Sequence, residues 1–120
     1  MPKDSICLNT PSKLNYISLI RLTASSIAHN SKLNIDEIED IKVCVSEASI
    51  NVLNFTKSDE IAIKFDVYED KLVIRIKDVS EKISNEENNY EEGELGLLII
   101  KSLMDHVKFS HDGIEMVKYI

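Results

Sequence analysis

The sequence predicts a two-layer α+β sandwich, with helices packed on one face of a mixed, mostly antiparallel sheet. Three observations carry that reading. Apolar residues recur at steps of three and four from Ile38 to Phe55, which is a helical period. They alternate at a step of two from Ile61 to Ile76, the period of paired strands. Asp112-Gly113 then separates two further apolar runs and is the strongest short hairpin signal in the chain. The resulting order is β-α-α-β-β-loop-α-β-β, which suits a sheet covered on one face.

The 120 residues form a single domain, 1–120, with no repeat and no dividing linker. At 43% hydrophobic and 29% charged, the chain supports one core. Its formal charge is −7 and its pI about 4.9. Such a surface argues against direct nucleic-acid binding, which needs clustered Lys and Arg to displace counterions. It suits a basic protein partner. Cys7 and Cys44 have neither metal-like nor redox-like spacing and sit in apolar patterns, so both read as buried reduced thiols of a cytoplasmic protein. No apolar run reaches membrane-spanning length, and Met1-Pro2-Lys3-Asp4 does not open a signal peptide. His29, His106 and His111 share no spacing with a carboxylate or thiol, and read as solvated or capping groups.

Ser5 to Asn9 predicts a short first strand. Thr10 caps a helix with Pro11 at its first position, where a missing N–H costs nothing. Leu14, Ile17, Ile20, Ala24, Ile27 and Ala28 form its stripe, and Asn30 is a left-handed stop. The second helix starts at an Asn34/Glu37 capping box, with Leu33 and Ile38 placed as a hydrophobic staple. Ile38, Ile41, Val45, Ala48, Val52 and Phe55 are its core face. Ile61, Ile63, Phe65 and Val67 pair with Leu72, Ile74 and Ile76 across a Glu69-Asp70 tip. Continuing that period puts Asp78 at the end of the core-facing row; the other reading ends the strand at Lys77 and turns Asp78 into water. Ser80 to Glu92 is a polar loop, Leu97 to Met104 an apolar helix, and Val107–Ser110 with Ile114–Ile120 the last hairpin.

Chemistry concentrates in three places. Glu47 and Asn51 are four residues apart, so they stack on one helix face beside the core stripe. A carboxylate there can accept a proton, and an amide oxygen is a hard ligand suited to Mg2+. Asp78 offers an acceptor for an amino group. Gly93-Glu94-Leu95-Gly96, immediately before a helix, lets the backbone curl and aim N–H groups at an anion. Together these are the parts that hold Mg-ATP and activate a hydroxyl.

Asp40-Ile41-Lys42-Val43-Cys44-Val45-Ser46-Glu47-Ala48-Ser49-Ile50-Asn51 and Gly93-Glu94-Leu95-Gly96-Leu97-Leu98-Ile99-Ile100-Lys101-Ser102-Leu103-Met104-Asp105 resemble the histidine-kinase-like (GHKL, Bergerat-fold) ATPases, and among them the bacterial anti-sigma-factor serine kinases. The resemblance covers nearly the whole chain. It implies ATP and Mg2+ as cofactors, Glu47 as the base that activates a substrate serine, and Asn51 as the Mg2+ ligand. It implies that Asp78 binds the adenine amino group and that Gly93, Leu95 and Gly96 wrap the phosphates. It further implies a partner switch between a sigma factor and a small antagonist protein, and a homodimer built through the first strand and helix. Asp78-Val79-Ser80-Glu81-Lys82 departs from the family's Asp-x-Gly-x-Gly, and Glu94 stands where a glycine is common. Glu86, Glu87, Glu91 and Glu92 add acidity beside the phosphate loop. Two expectations follow: an ATP-dependent protein-serine kinase, or a non-catalytic partner-switching module of the same fold with weakened or lost ATP binding.

Overall fold

A computed structural model describes residues 1–81 and 90–120. It contains β1 (Asp4–Pro11), a 3-10 turn at Leu14–Tyr16, α1 (Ile17–His29), α2 (Ile35–Phe55), β2 (Glu60–Val67), β3 (Lys71–Lys77), α3 (Tyr90–Leu103), β4 (His106–Ser110) and β5 (Gly113–Tyr119). The strand order is β1-β2-β3-β5-β4. All four pairings are antiparallel, so the expected sheet is confirmed without its mixed character. Two consecutive helices joined by a short linker separate β1 from β2, which returns the chain to the end of the sheet where β1 stopped.

Alternation along the strands builds the core. Ile61, Ile63 and Phe65 of β2, Leu72, Ile74 and Ile76 of β3, and Ile114 and Met116 of β5 are buried on the inner face. They form one cluster with Ile17, Ile20, Ala24 and Ile27 of α1, with Ile38, Ile41, Val45, Ala48 and Val52 of α2, and with Leu97 and Ile100 of α3. Phe65 is fully buried at its centre, so Phe65→Ala removes about 3–5 kcal/mol of stability. Gly113 opens β5 at φ +143, and a Cβ there would overlap the Ile76 carbonyl oxygen. The hairpin therefore needs glycine at that position.

The start of the chain departs from the local signals. Thr10-Pro11 does not begin a helix: β1 continues to Pro11, which pairs with Glu60, and α1 begins only at Ile17. Pairing with β2 outweighs the cap signal, and a proline at the end of an edge strand sacrifices no sheet bond. Leu14 consequently leaves the core and is 72% exposed. Asn30 is right-handed at φ −81; α1 ends instead through Asn30 and Ser31 N–H groups donating to Ile27 and Ala28 carbonyls. Cys44 is buried as expected, but Cys7 faces solvent on the edge strand. The polar loop inferred for Ser80–Glu92 lies largely outside the described residues. No helix among the described residues is long and apolar enough to cross a membrane.

Candidate functional site

α2 positions the first two groups. The Asn34 side chain accepts from Glu37 N–H at 2.8 Å, and Glu37 accepts from Asn34 N–H at 3.0 Å, closing the capping box. Leu33 and Ile38 are both buried beside it. From that start the helix runs unbroken to Phe55, with Glu47 and Asn51 one turn apart. Glu47 is half-buried and Asn51 is 4% exposed.

α3 closes the site from the other side. It begins at Tyr90, earlier than the apolar run suggested, so Gly93 and Gly96 lie within the helix and not before it. Gly96 is buried against α2, where a Cβ would stand 2.8 Å from Glu47 Oε2. Its role is close approach between helices. Gly93 is the fourth residue of α3, in its first turn. Any anion contact by this segment would therefore come from the first turn of α3 and not from a curled loop.

A cavity of about 300 Å³ opens between the helices, lined by Glu47, Asn51, Gly93, Leu95 and Gly96. Asn54 and Phe55, one turn beyond Asn51, complete one wall with Ile50, and Leu97 and Ile99 line the rest. The spacing that pairs Glu47 with Asn51 also places Phe55 on this side, a signal the core-stripe reading of Phe55 passes over. A larger depression of about 680 Å³ lies across the outer face of the sheet, over Asn9, Ala62 and Gly113. It is remote from Glu47 and Asn51, and its Arg75 is already paired with Asp66 and Glu115.

Asp78 is placed differently from the core-row expectation. β3 ends at Lys77, and Asp78 adopts φ +68 with its N–H donating to the Asp112 carbonyl at 2.9 Å. The turn flips the alternation, so Val79 takes the buried position and Asp78 is exposed. Burying an unpaired carboxylate would be expensive, and aspartate tolerates the left-handed region. Asp78 does not line the cavity. The residue that reaches α2 is Ser80. Its N–H donates to Asn51 Oδ1 at 3.2 Å and its carbonyl accepts from Asn51 Nδ2 at 3.3 Å.

Toward the start of α2 and the end of α3 lies a charged group. Lys118 is buried, donates to the Leu103 carbonyl at the end of α3 at 2.9 Å, and stands 3.9 Å from Asp40 of α2. A cation there favours the α3 C-terminus. The Cys44 thiol is pushed up to about 12, first by burial and then by the Asp40 charge; Lys118 opposes this and Glu47 adds to it. It stays protonated and unreactive at neutral pH.

These residues fit a nucleotide carrying its own metal. No cluster of three or more His, Cys, Asp or Glu exists among the described residues to bind a cation unaided. A Mg2+ here would take one hard oxygen from Asn51 and the rest from phosphates and water, its usual habit in such sites. Gly93, in the first turn of α3, borders the cavity where an anion would sit.

Fold and site together define an α+β domain with a partly polar cavity between two helices. A family profile described as the histidine kinase-like ATPase domain matches residues 10–118. The chain is 37% identical to the serine-protein kinase RsbW of Listeria innocua, over 98% of this chain and 88% of that protein. It is 32% identical to the RsbW of Bacillus subtilis, over 98% of this chain and 86% of that one. It therefore belongs to the histidine kinase-like ATPase family, among the RsbW serine-protein kinases. Both matches run over 138 positions although this chain has only 120 residues, so it lacks residues that those relatives carry within the matched span. The fold is also that of the crystal structure of the RsbU and RsbW domains of a Mycobacterium tuberculosis protein. The TM-score is 0.68 at 13% identity, over 98% of this chain and 32% of that longer one.

Proposed function

We propose that this chain is an anti-sigma factor with ATP-dependent protein-serine kinase activity toward a small antagonist protein, acting in the cytoplasm. The observation that carries the reading is the meeting of Glu47, Asn51, Gly93 and Gly96 around one cavity. Mg-ATP supplies the phosphoryl group when bound. Asn51 Oδ1 would hold the cation, Gly93 and Leu95 would face the phosphates at the α3 N-terminus, and Asp78 would take the adenine amino group after a rearrangement of its turn. Glu47 would accept the serine proton as the serine oxygen bonds to the terminal phosphorus and the bond from that phosphorus to ADP breaks. Homodimerisation through β1 and α1 belongs to the same proposal. It is supported by the open edge of β1 and by exposed Leu14, Leu19 and Leu22 nearby in the chain.

Thermal melting with and without Mg-ATP tests nucleotide binding. A ligand of the native state at a hundredfold excess over its dissociation constant adds about 2.7 kcal/mol. Glu47→Ala should then abolish phosphoryl transfer while leaving ATP binding largely intact; unaltered transfer refutes the base assignment. The non-catalytic reading is favoured by the exposed, left-handed Asp78 and by a cavity at the small end for a ligand site. Its signature is no melting shift at millimolar Mg-ATP.

A further inference from the structure

Asn51 is gripped at both ends by the main chain of one residue. The Ser80 N–H meets Oδ1 and the Ser80 carbonyl meets Nδ2. Turning the amide over would set donor against donor and acceptor against acceptor. A side chain only 4% exposed is thereby locked in one of two otherwise similar orientations. One lone pair of Oδ1 is used by Ser80, and the second is the acceptor that a cation can take.

Ser80 is itself held from the sheet. Asp78 N–H is tied to the Asp112 carbonyl, the left-handed turn at Asp78 follows, and Val79 is buried at 3%. The geometry delivers Ser80 to α2 across 29 residues of sequence. Asp78 is the only non-glycine residue with positive φ among those described, so Ser80 needs no glycine-like backbone. A serine can therefore stand where the resembled motif has glycine, since its contact with Asn51 is made by peptide groups.

We propose that Ser80 is a positioning residue for Asn51, its main-chain N–H and carbonyl orienting the amide so that Oδ1 is presented to the Mg2+ of the bound nucleotide. This rests on the reading that the cavity takes Mg-ATP. Partners of metal ligands commonly change metal affinity by about 10–100-fold when removed.

The test uses the full chain and two readouts. Without ligand, the Ser80 amide should exchange slowly with solvent deuterium, and Asn51→Ala should speed that exchange about tenfold or more. Mg2+ affinity in the presence of ATP, measured by calorimetry, should fall about 10–100-fold in Ser80→Pro, which lacks the N–H, while metal-free ATP binding stays within about twofold. A parent amide that exchanges as fast as an open loop, or a folded Ser80→Pro with parental Mg2+ affinity, overturns the proposal. If Ser80→Pro does not fold, unchanged Ser80 exchange in Asn51→Ala overturns it. A parent that binds no Mg-ATP but keeps a protected Ser80 amide overturns the nucleotide reading, and with it the cation role, while leaving the latch established.

Discussion

Gly96 of α3 lies against the carboxylate of Glu47 on α2, so close that a Cβ at position 96 would stand 2.8 Å from Oε2. The candidate base is thus placed by the absence of a side chain on the facing helix. The obstructing atom is the end of a flexible side chain, which can move. Gly96→Ala should keep the fold, because alanine also favours the helix by up to about 1 kcal/mol. Displacing Glu47 should nonetheless cut phosphoryl transfer by about tenfold or more, since small misplacements of a reacting group are costly. Paired melting curves and transfer rates check this; a stable variant with parental rate would contradict it.

Gly113 presents the opposite case, because its neighbours cannot yield. A Cβ there would overlap the Ile76 carbonyl oxygen and stand 2.9 Å from Lys77 Cα, and φ is +143. Gly113→Ala should lose about 3 kcal/mol or more, read as a lower urea midpoint with unchanged slope.

The Asn34/Glu37 box is exposed and remote from the cavity lining. Asn34→Ala should lower stability by about 1 kcal/mol and leave Mg-ATP affinity, where present, at the parental value. A change in affinity would mean that α2 transmits fraying along its length to Asn51.

The two thiols should behave oppositely. Exposed Cys7 should react with a thiol reagent in the native protein, and buried Cys44 only after unfolding. Cys44 is an acid whose folded value, about 12, lies above its ordinary 9.0, so between those values the native state holds the proton that the unfolded state releases. Its contribution is intact below pH 9 and is lost as pH rises toward 12, at up to about 1.4 kcal/mol per pH unit. Cys44→Ala should flatten that part of the stability–pH curve.

The resemblance to histidine-kinase-like ATPases rested on the helix carrying Glu47 and Asn51 and on the segment from Gly93, and the structure brings both to one cavity. Asp78 was harder. The strand period alone could not decide between a core-facing carboxylate and a turn into water, because the answer depends on the Asp112 carbonyl from another hairpin. Ser80 carried no signal at all, since its contribution is made by peptide groups that every non-proline residue possesses.

The chain's own pattern determined α2 with its cap, the β2–β3 and β4–β5 hairpins and the glycine at their junction, because helix period, strand alternation and turn chemistry are set by residues a few positions apart. Where β1 ends, which way Asp78 faces and what holds Asn51 were decided only in three dimensions. Each depends on partners distant in sequence, whose hydrogen bonds and burial outweigh local preferences worth about 1 kcal/mol apiece.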